Sequence, residues 1–251
     1  MARYPPPANG GRHADAGDLE RFPNTLWRCE TRLAGLKPCA TLVLIQRDTP
    51  WGDKMSGQLI AFEGLDQSGK QTQAERLRDH LKGQGRKARL VSFPDYGTSI
   101  GEEIARALSN ERDYGPDVMQ LLYVANRYEK KSDLLRWLEG GLILVSDRYT
   151  ASSVAYGEAL GLDPAWLTDM QTFLPPASLT ILLDIAPDTA VTRKSADRDR
   201  YERDLAMQAR VRDSYLRQAQ AQGWVVLDGE RSKDAIAADV ISAVTSRLEL
   251  R

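Results

Sequence analysis

The sequence predicts an α/β fold: a five-stranded parallel sheet with helices on both faces. Five short apolar runs lie between residues 59 and 228, and stretches with helical spacing of apolar residues separate them. This alternation is typical of a parallel sheet that is covered on both faces. A glycine-rich turn directly follows the first apolar run. At 42% hydrophobic and 27% charged residues, the composition is ordinary for a globular chain.

The predicted strands share a short apolar core bounded by glycine, proline or charged residues, which favours buried strands over helices. They are Leu59–Glu63, Ala88–Phe93, Leu142–Ser146, Leu179–Ile185 and Trp224–Asp228.

The predicted helices carry apolar residues at every third or fourth position, as Ala74, Leu77 and Leu81 do in the first of them. Pro116 suits the first turn of another helix. Helices are expected over Lys70–Gln84, Ile100–Leu108, Pro116–Leu138, Tyr149–Leu160, Ala165–Phe173, Asp204–Gln222 and Ala235–Leu248. One more is expected to begin at Thr189 and to lead into the charged stretch Arg193–Arg203.

Residues 1–54 differ from the rest of the chain. They hold six of the twelve prolines and both cysteines, Cys29 and Cys39, and no period holds through most of them. Thr41–Gln46 could form a short strand, but prolines lie close on both sides. We interpret the segment as a disordered or non-native extension, with Met55 as the natural start. A small folded subdomain is the alternative, and the cysteines are expected to be free thiols.

Charge and hydropathy exclude several classes of function. Lys and Arg total 34 against 35 Asp and Glu, so the surplus of cations needed to coat a nucleic acid polymer is missing. The apolar runs are far shorter than the roughly 20 residues of a membrane-spanning helix. The first 25 residues show no apolar signal segment, so a cytoplasmic location is the expectation.

A phosphate-binding loop follows the first predicted strand. Gly64 and Gly69 are separated by four residues and followed by Lys70, in a strand–loop–helix context. Glycines let the backbone wrap around a phosphate, and the exposed N–H groups and the helix dipole favour the anion. The predicted nucleotide-binding residues are Gly64, Leu65, Asp66, Gln67, Ser68, Gly69, Lys70, Gln71 and Thr72.

One position of this loop departs from the common pattern. Gln71 stands where Ser or Thr usually supplies a hydroxyl to Mg²⁺, and the hydroxyl of Thr72 comes one residue late. We therefore expect the metal to depend on Asp66 or on Asp147, which ends the third predicted strand.

Four further groups of residues narrow the function. F-P-D-Y (93–96) ends the second strand, and L-L-Y-V-A-N-R-Y-E (121–129) lies on the long helix, where Tyr123 and Arg127 share one face. D-R-Y (147–149) ends the third strand. Ser152, Ser153 and Tyr156 follow it, and basic residues gather at Arg193, Lys194, Arg198 and Arg200.

In this order and spacing, the groups resemble the thymidylate kinase family of phosphate-loop kinases, over about residues 58–248. The resemblance implies transfer of the γ-phosphoryl group of ATP to dTMP, with Mg²⁺. It also implies a short lid at about residues 193–203 and a homodimer.

The resemblance also implies the role of each residue. Lys70 holds the ATP phosphates, Arg148 clamps the acceptor phosphate, and Arg127 binds a thymine carbonyl. Asp66 reaches the sugar 3′-hydroxyl and lies near Mg²⁺, which Asp147 orders. The other residues expected in the acceptor pocket are Phe93, Pro94, Tyr96, Tyr123, Ser152, Ser153 and Tyr156.

Two departures from the family bear on how the reaction is catalysed. Many relatives place an arginine where Tyr96 stands, and some carry one inside the phosphate loop. We therefore expect Arg193, Arg198 or Arg200 in the lid to stabilise the transferring phosphoryl group, which such an arginine does strongly.

Two other functions stay open at this point. A deoxynucleoside kinase of the same fold would need a carboxylate as general base, and Glu63 at the end of the first strand is the candidate. A catalytically inactive nucleotide-binding regulator is the other, and the unusual Gln71 and Tyr96 favour it.

Overall fold

The structure, a computed structural model, describes residues 55–193 and 204–248. In these residues the chain forms one five-stranded sheet in the order β2-β3-β1-β4-β5, and every neighbouring pair is parallel. The predicted fold class is thereby confirmed. The strands are β1 (Gln58–Glu63), β2 (Ala88–Ser92), β3 (Ile143–Asp147), β4 (Leu179–Asp184) and β5 (Val225–Asp228).

Helices connect the strands and cover both faces of the sheet. In the described residues they are α1 (Lys70–Gly83), α2 (Ser99–Leu108), α3 (Pro116–Glu129), α4 (Lys131–Glu139), α5 (Thr150–Ala159), α6 (Pro164–Asp169), α7 (Pro187–Arg193), α8 (Leu205–Gln222) and α9 (Lys233–Arg247).

Two helix predictions were wrong in extent. The helix expected over residues 116–138 is two helices, because the backbone N–H of Lys130 bonds to the carbonyls of Arg127 and Tyr128 and leaves the regular ladder. The apolar spacing continues through this break, so periodicity could not reveal it. The helix expected to reach residue 173 ends at Asp169, where tighter turns close with Gln171 N bonded to Thr168 O at 3.0 Å.

The core has two halves because successive strand residues face opposite sides of the sheet. On one face, buried residues of β1, β3 and β4 form one cluster with residues of α1 and α9, and Phe62, Leu77 and Val240 belong to it. On the other face, Leu144 lies with Leu134 and Leu138 of α4. The central strand β1 is therefore buried from Leu59 to Glu63, where it reaches the carboxyl edge of the sheet.

This arrangement brings three loops to one edge of the sheet. In the register of the sheet, Phe62 of β1 and Ser92 of β2 both pair with Asp147 at the end of β3. The residues that follow these strands therefore meet at the carboxyl edge, where ligands bind in open parallel sheets.

Residues 1–54 lie outside the described residues, and with them the expected extension and its possible strand Thr41–Gln46. None of the described helices is long and apolar enough to cross a membrane.

We expect a chain that begins at Met55 to keep its fold and activity. Met55 packs against a buried cluster of the sheet, and Gly57 N donates to Leu138 O at 2.8 Å, so a chain that begins at Met55 keeps these contacts. Melting temperature and turnover of the full and shortened chains test this. Loss of several degrees, or of most activity, would show that the first 54 residues belong to the fold.

Candidate active site

The loop after β1 has the backbone geometry of an anion cradle. Gly64, Gln67 and Gly69 adopt positive φ angles of 139°, 65° and 93°. A Cβ atom on Gly64 would lie 2.4 Å from the carbonyl oxygen of Leu183, so only glycine fits there. Since α1 begins at Lys70, its first N–H groups and the positive end of its dipole are available to an anion at this loop.

A cavity of about 630 Å³ opens beside this loop, a size that suits a nucleotide. We call it the donor cavity. Its lining comprises Asp66, Gln67, Ser68, Gly69, Lys70, Gln71, Thr72, Gln73, Asp147, Arg148, Arg193, Gly229, Arg231, Ser232, Lys233 and Ile236. Most of the predicted nucleotide-binding residues are thus brought together, whereas the side chain of Leu65 is buried in the core.

Lys70 is held inside this cavity in a defined position. Its Nζ donates to the carbonyl oxygen of Leu65 at 2.7 Å, and the residue is 6% exposed. Burial and the nearby charge of Arg148 lower the pKa of Lys70 to about 8, although Asp66 and Asp147 oppose the shift. A phosphate in the cavity would favour the charged form of the amine.

Arg193 lies in the donor cavity in a role that the sequence did not predict. Its guanidinium donates to Gln67 O at 3.1 Å and to Gly229 O at 2.9 Å. It therefore joins the phosphate loop to the turn after β5. Arg198 and Arg200, with the rest of the predicted lid, lie outside the described residues.

A second cavity, of about 110 Å³, lies under α3 and α5, and we call it the acceptor cavity. Its lining comprises Asp66, Phe93, Pro94, Tyr96, Leu108, Gln120, Tyr123, Arg127, Arg148, Ser152, Ser153 and Tyr156. All nine residues predicted for the acceptor pocket are among them, although Tyr96 is 50% exposed. Sequence reasoning missed Leu108 and Gln120.

Asp66 and Arg148 line both cavities and form their common wall. Arg148 Nη2 lies 2.5 Å from Asp66 Oδ1, and the hydroxyl of Tyr156 donates to Asp66 Oδ2 at 3.0 Å. Burial raises the pKa of Asp66, but the charges of Arg148 and Lys70 outweigh it, so the pKa lies well below its ordinary value. The carboxylate is therefore ionised at neutral pH.

Arg148 is placed by an unusual backbone. Its φ angle is 64°, in the left-handed region that residues other than glycine seldom adopt. Its N–H donates to Phe62 O at 2.9 Å, and its carbonyl accepts from Ser146 Oγ at 2.5 Å. These bonds turn the guanidinium to the junction of the two cavities, and such outliers concentrate at functional sites.

A buried carboxylate supports this arginine. It is Glu63, the candidate general base of the alternative deoxynucleoside kinase. Glu63 is fully buried and accepts hydrogen bonds from Tyr149 N at 2.8 Å, Ser152 Oγ at 2.6 Å and Tyr215 OH at 3.0 Å. Ser152 Oγ and Tyr215 OH in turn accept from Arg148 Nη1 at 3.1 and 3.2 Å. Glu63 does not appear among the described residues that line the acceptor cavity, so it is placed as a positioning group.

Arg127 on α3 is buried and has an unsatisfied hydrogen-bond donor, as expected of a cation that binds a ligand. Nη1 donates to Ser153 Oγ at 2.8 Å and to Gln171 Oε1 at 3.3 Å, and the residue is 3% exposed. Nε is buried and has no hydrogen-bond partner in the described part of the chain. Burial lowers the pKa of Arg127 to about 10, so the charge is kept at neutral pH.

Asn126, the neighbour of Arg127, holds the loop after β2 against α3. Its Oδ1 accepts from Asp95 N at 2.7 Å, and its Nδ2 donates to Asp95 O at 3.1 Å and Thr98 Oγ1 at 2.8 Å. This fixes Phe93 and Pro94, which precede Asp95, beside the acceptor cavity. Asn126 belongs to the motif at 121–129, but the sequence alone did not predict this role.

Two adjoining cavities, one of them on a phosphate loop, place the protein among the phosphate-loop kinases that act on a small acceptor. The family model for thymidylate kinase matches residues 62–240, and the chain belongs to this family.

Known relatives agree with this assignment over most of their length. The chain is 34% identical to the thymidylate kinase of Arabidopsis thaliana, over 78% of this chain and 74% of that protein. It is 36% identical to that of Dinoroseobacter shibae, over 75% and 97%. The solved structure of thymidylate kinase from Candida albicans superposes with a TM-score of 0.66 at 27% identity, over 76% of this chain and 92% of that one.

Proposed function

We infer that the protein transfers the γ-phosphoryl group of ATP to dTMP and releases dTDP. Family membership supports the activity, and one observation supports the location of the reaction. The donor and acceptor cavities share Asp66 and Arg148 as their wall, so two phosphates bound on either side would meet there.

The described residues can do this chemistry without a covalent intermediate. The acceptor phosphate oxygen attacks the γ-phosphorus in line while the bond from the γ-phosphorus to the β–γ bridging oxygen breaks, and ADP leaves with that oxygen. The protein supplies positioning and charge. We propose that Lys70 and the loop N–H groups hold the donor phosphates. Arg148, whose planar fork matches phosphate oxygens, orients the acceptor phosphate. Asp66 and Tyr156, which are hydrogen-bonded to each other, form the sugar side of the pocket.

We propose Mg²⁺ as the cofactor, and the donor cavity fits that role. Asp147, which ends β3, lines this cavity, and its buried Oδ1 has no hydrogen-bond partner within residues 55–193 and 204–248. The described residues contain no cluster of three or more metal-ligating side chains. In such enzymes Mg²⁺ takes one or two carboxylates together with water and phosphate oxygens. Asp147 and Asp66 would hold the ion, which when bound neutralises charge on the ATP phosphates.

A homodimer is the assembly we propose. α3 exposes Val118 and Leu121 at 38% and 47%, and Phe173 beyond α6 is 60% exposed. Exposed large apolar side chains of this kind mark contact surfaces when they adjoin. The molar mass in solution, measured by light scattering, tests the assembly.

The activity itself is tested with ATP and a panel of nucleoside monophosphates in a coupled assay that detects ADP. We expect dTMP to be the best acceptor, dUMP weaker and dCMP very poor. Turnover of an unphosphorylated nucleoside would favour a deoxynucleoside kinase. ATP binding without turnover of any acceptor would favour an inactive regulator.

We predict that Arg127→Ala narrows the preference for thymine over cytosine. Thymine presents a carbonyl where cytosine presents an amino group, and a guanidinium can only donate. Placing one hydrogen-bond donor against another in a buried site costs about 1–3 kcal/mol. This corresponds to a roughly ten- to hundredfold difference in kcat/KM. The ratio of kcat/KM for dTMP to that for dCMP should therefore fall by about this factor. Equal turnover of both nucleotides by the unaltered protein would show that this pocket is wrongly assigned.

A further inference from the structure

The acceptor cavity holds a side-chain oxygen that has no hydrogen-bond partner among the described residues. Gln120 on α3 is 1% exposed, and its Oε1 is buried without a hydrogen-bond donor. An unsatisfied buried amide oxygen destabilises a protein, so its presence needs an explanation. Because Gln120 lines the acceptor cavity, a bound ligand can supply the missing donor.

The position of Gln120 on α3 groups it with the residues that face the base. Tyr123 lies three positions after Gln120, and Arg127 lies four positions after Tyr123. All three therefore lie along one face of the helix. The sugar-side residues Asp66 and Tyr156 come from other elements and satisfy each other. The base of the acceptor is therefore the part of the ligand that can donate a hydrogen bond to Gln120 Oε1.

The unsatisfied atoms of the cavity form a complementary pattern. Among its described lining residues, two side-chain polar atoms are buried without partners: Arg127 Nε, a donor, and Gln120 Oε1, an acceptor. Thymine and uracil carry a carbonyl acceptor next to a single ring N–H donor. A donor and an acceptor on the protein match that edge.

We propose that Gln120 is a specificity-determining residue whose amide oxygen accepts a hydrogen bond from the ring N–H of the acceptor base. This rests on the proposed function. It extends base recognition from one contact, at Arg127, to two. It also makes the protein require the imide form of the base, which cytosine lacks.

The test compares dTMP with its N3-methyl analogue, in which the ring donor is replaced by a methyl group. Gln120→Leu removes the amide oxygen at similar volume, and Gln120→Ala also makes room for the methyl group. We expect KM for dTMP to rise about tenfold with kcat within about threefold, since the contact is remote from the reacting phosphate. The ratio of kcat/KM for dTMP to that for the analogue should fall at least tenfold in both variants.

Gln208→Leu is the matched control, because Gln208 on α8 is also buried, at 2% exposed, and does not line the acceptor cavity. It should leave the substrate ratio unchanged. Melting curves of the ligand-free variants check folding, and Gln120→Leu should be no less stable than the unaltered protein, because it removes an unsatisfied polar atom.

An unchanged ratio in both Gln120 variants would overturn the proposal, even where KM rises. Failure of the proposed function looks different, because the unaltered protein would then not phosphorylate dTMP at all. In that case, dTMP binding measured by calorimetry still tests Gln120. Equal affinity of dTMP for the unaltered protein and Gln120→Leu would reject the contact, and a tenfold loss would support it.

Discussion

Replacing Lys70 with alanine should lower turnover by roughly 10³-fold or more while the fold survives. The ammonium group stands beside the phosphate loop, where negative charge develops on the transferring phosphoryl group. Among the described residues the Lys70 side chain makes one hydrogen bond, to Leu65 O, and Asp66 keeps its pair with Arg148 when the amine is removed. The loss should therefore fall on kcat and leave the free energy of unfolding nearly unchanged.

Steady-state kinetics at saturating ATP and dTMP, with circular dichroism of the same samples, measure both effects. Lys82→Ala is the matched control, because Lys82 lies on the same helix but is exposed. It should be neutral in both measurements. If Lys70→Ala instead gave a destabilised protein with normal turnover per folded molecule, Lys70 would be structural.

The same lysine predicts a pH dependence of ATP binding. In the free protein its pKa is lowered to about 8, so it loses its charge as the pH rises through 8 toward 9. A neutral amine no longer attracts the phosphates, and ATP affinity should fall over this interval. Lys70→Arg, which stays charged, should keep its ATP affinity across the same pH range.

The fold and most of the candidate site could be predicted because their signals are local. Each strand is an apolar run, and the phosphate loop is a contiguous motif whose glycines have to adopt positive φ angles. The pocket residues 93–96, 121–129 and 147–156 sit in short segments that follow strands or share a helix face. A parallel sheet then brings the ends of β1, β2 and β3 to one edge without further information.

What could not be predicted depends on pairs that are distant in sequence. Tyr215 and Glu63 are 152 positions apart, and Arg193 and Gln67 are 126 apart, so no spacing rule links them. Gln120 is an ordinary helix residue by composition, and only its burial beside a cavity distinguishes it. The break at Lys130 is also invisible in the apolar pattern, because the two helices it separates continue the same spacing.

The second large effect concerns Arg148. We expect Arg148→Lys to lower kcat/KM for dTMP by about 10²-fold or more, although the charge is kept. A lysine is a point charge and cannot present the planar pair of donors that fits a phosphate. It also cannot reach Asp66, Ser152 and Tyr215 together, as the two guanidinium nitrogens do at 2.5, 3.1 and 3.2 Å.

The free energy of unfolding and kcat/KM should therefore both change. The relative size of the two changes shows whether Arg148 acts mainly in the fold or in the reaction. Leaving buried hydroxyls and a carboxylate without donors costs about 1–3 kcal/mol in the free energy of unfolding. Arg136→Lys is the matched control, since Arg136 on α4 pairs with Asp133 at 2.7 Å but its side chain is 71% exposed. Such surface pairs contribute little, so both measurements should stay near those of the unaltered protein.

Because Arg148 lines both cavities, the kinetic change should appear in kcat as well as in KM for dTMP, whereas a residue that only bound the acceptor would change KM alone. Denaturant unfolding and initial rates at varied dTMP measure the two effects separately. If Arg148→Lys were less stable but had the same kcat/KM per folded molecule as Arg136→Lys, Arg148 would only hold the fold together. A different cationic group would then have to orient the phosphate at the junction of the two cavities.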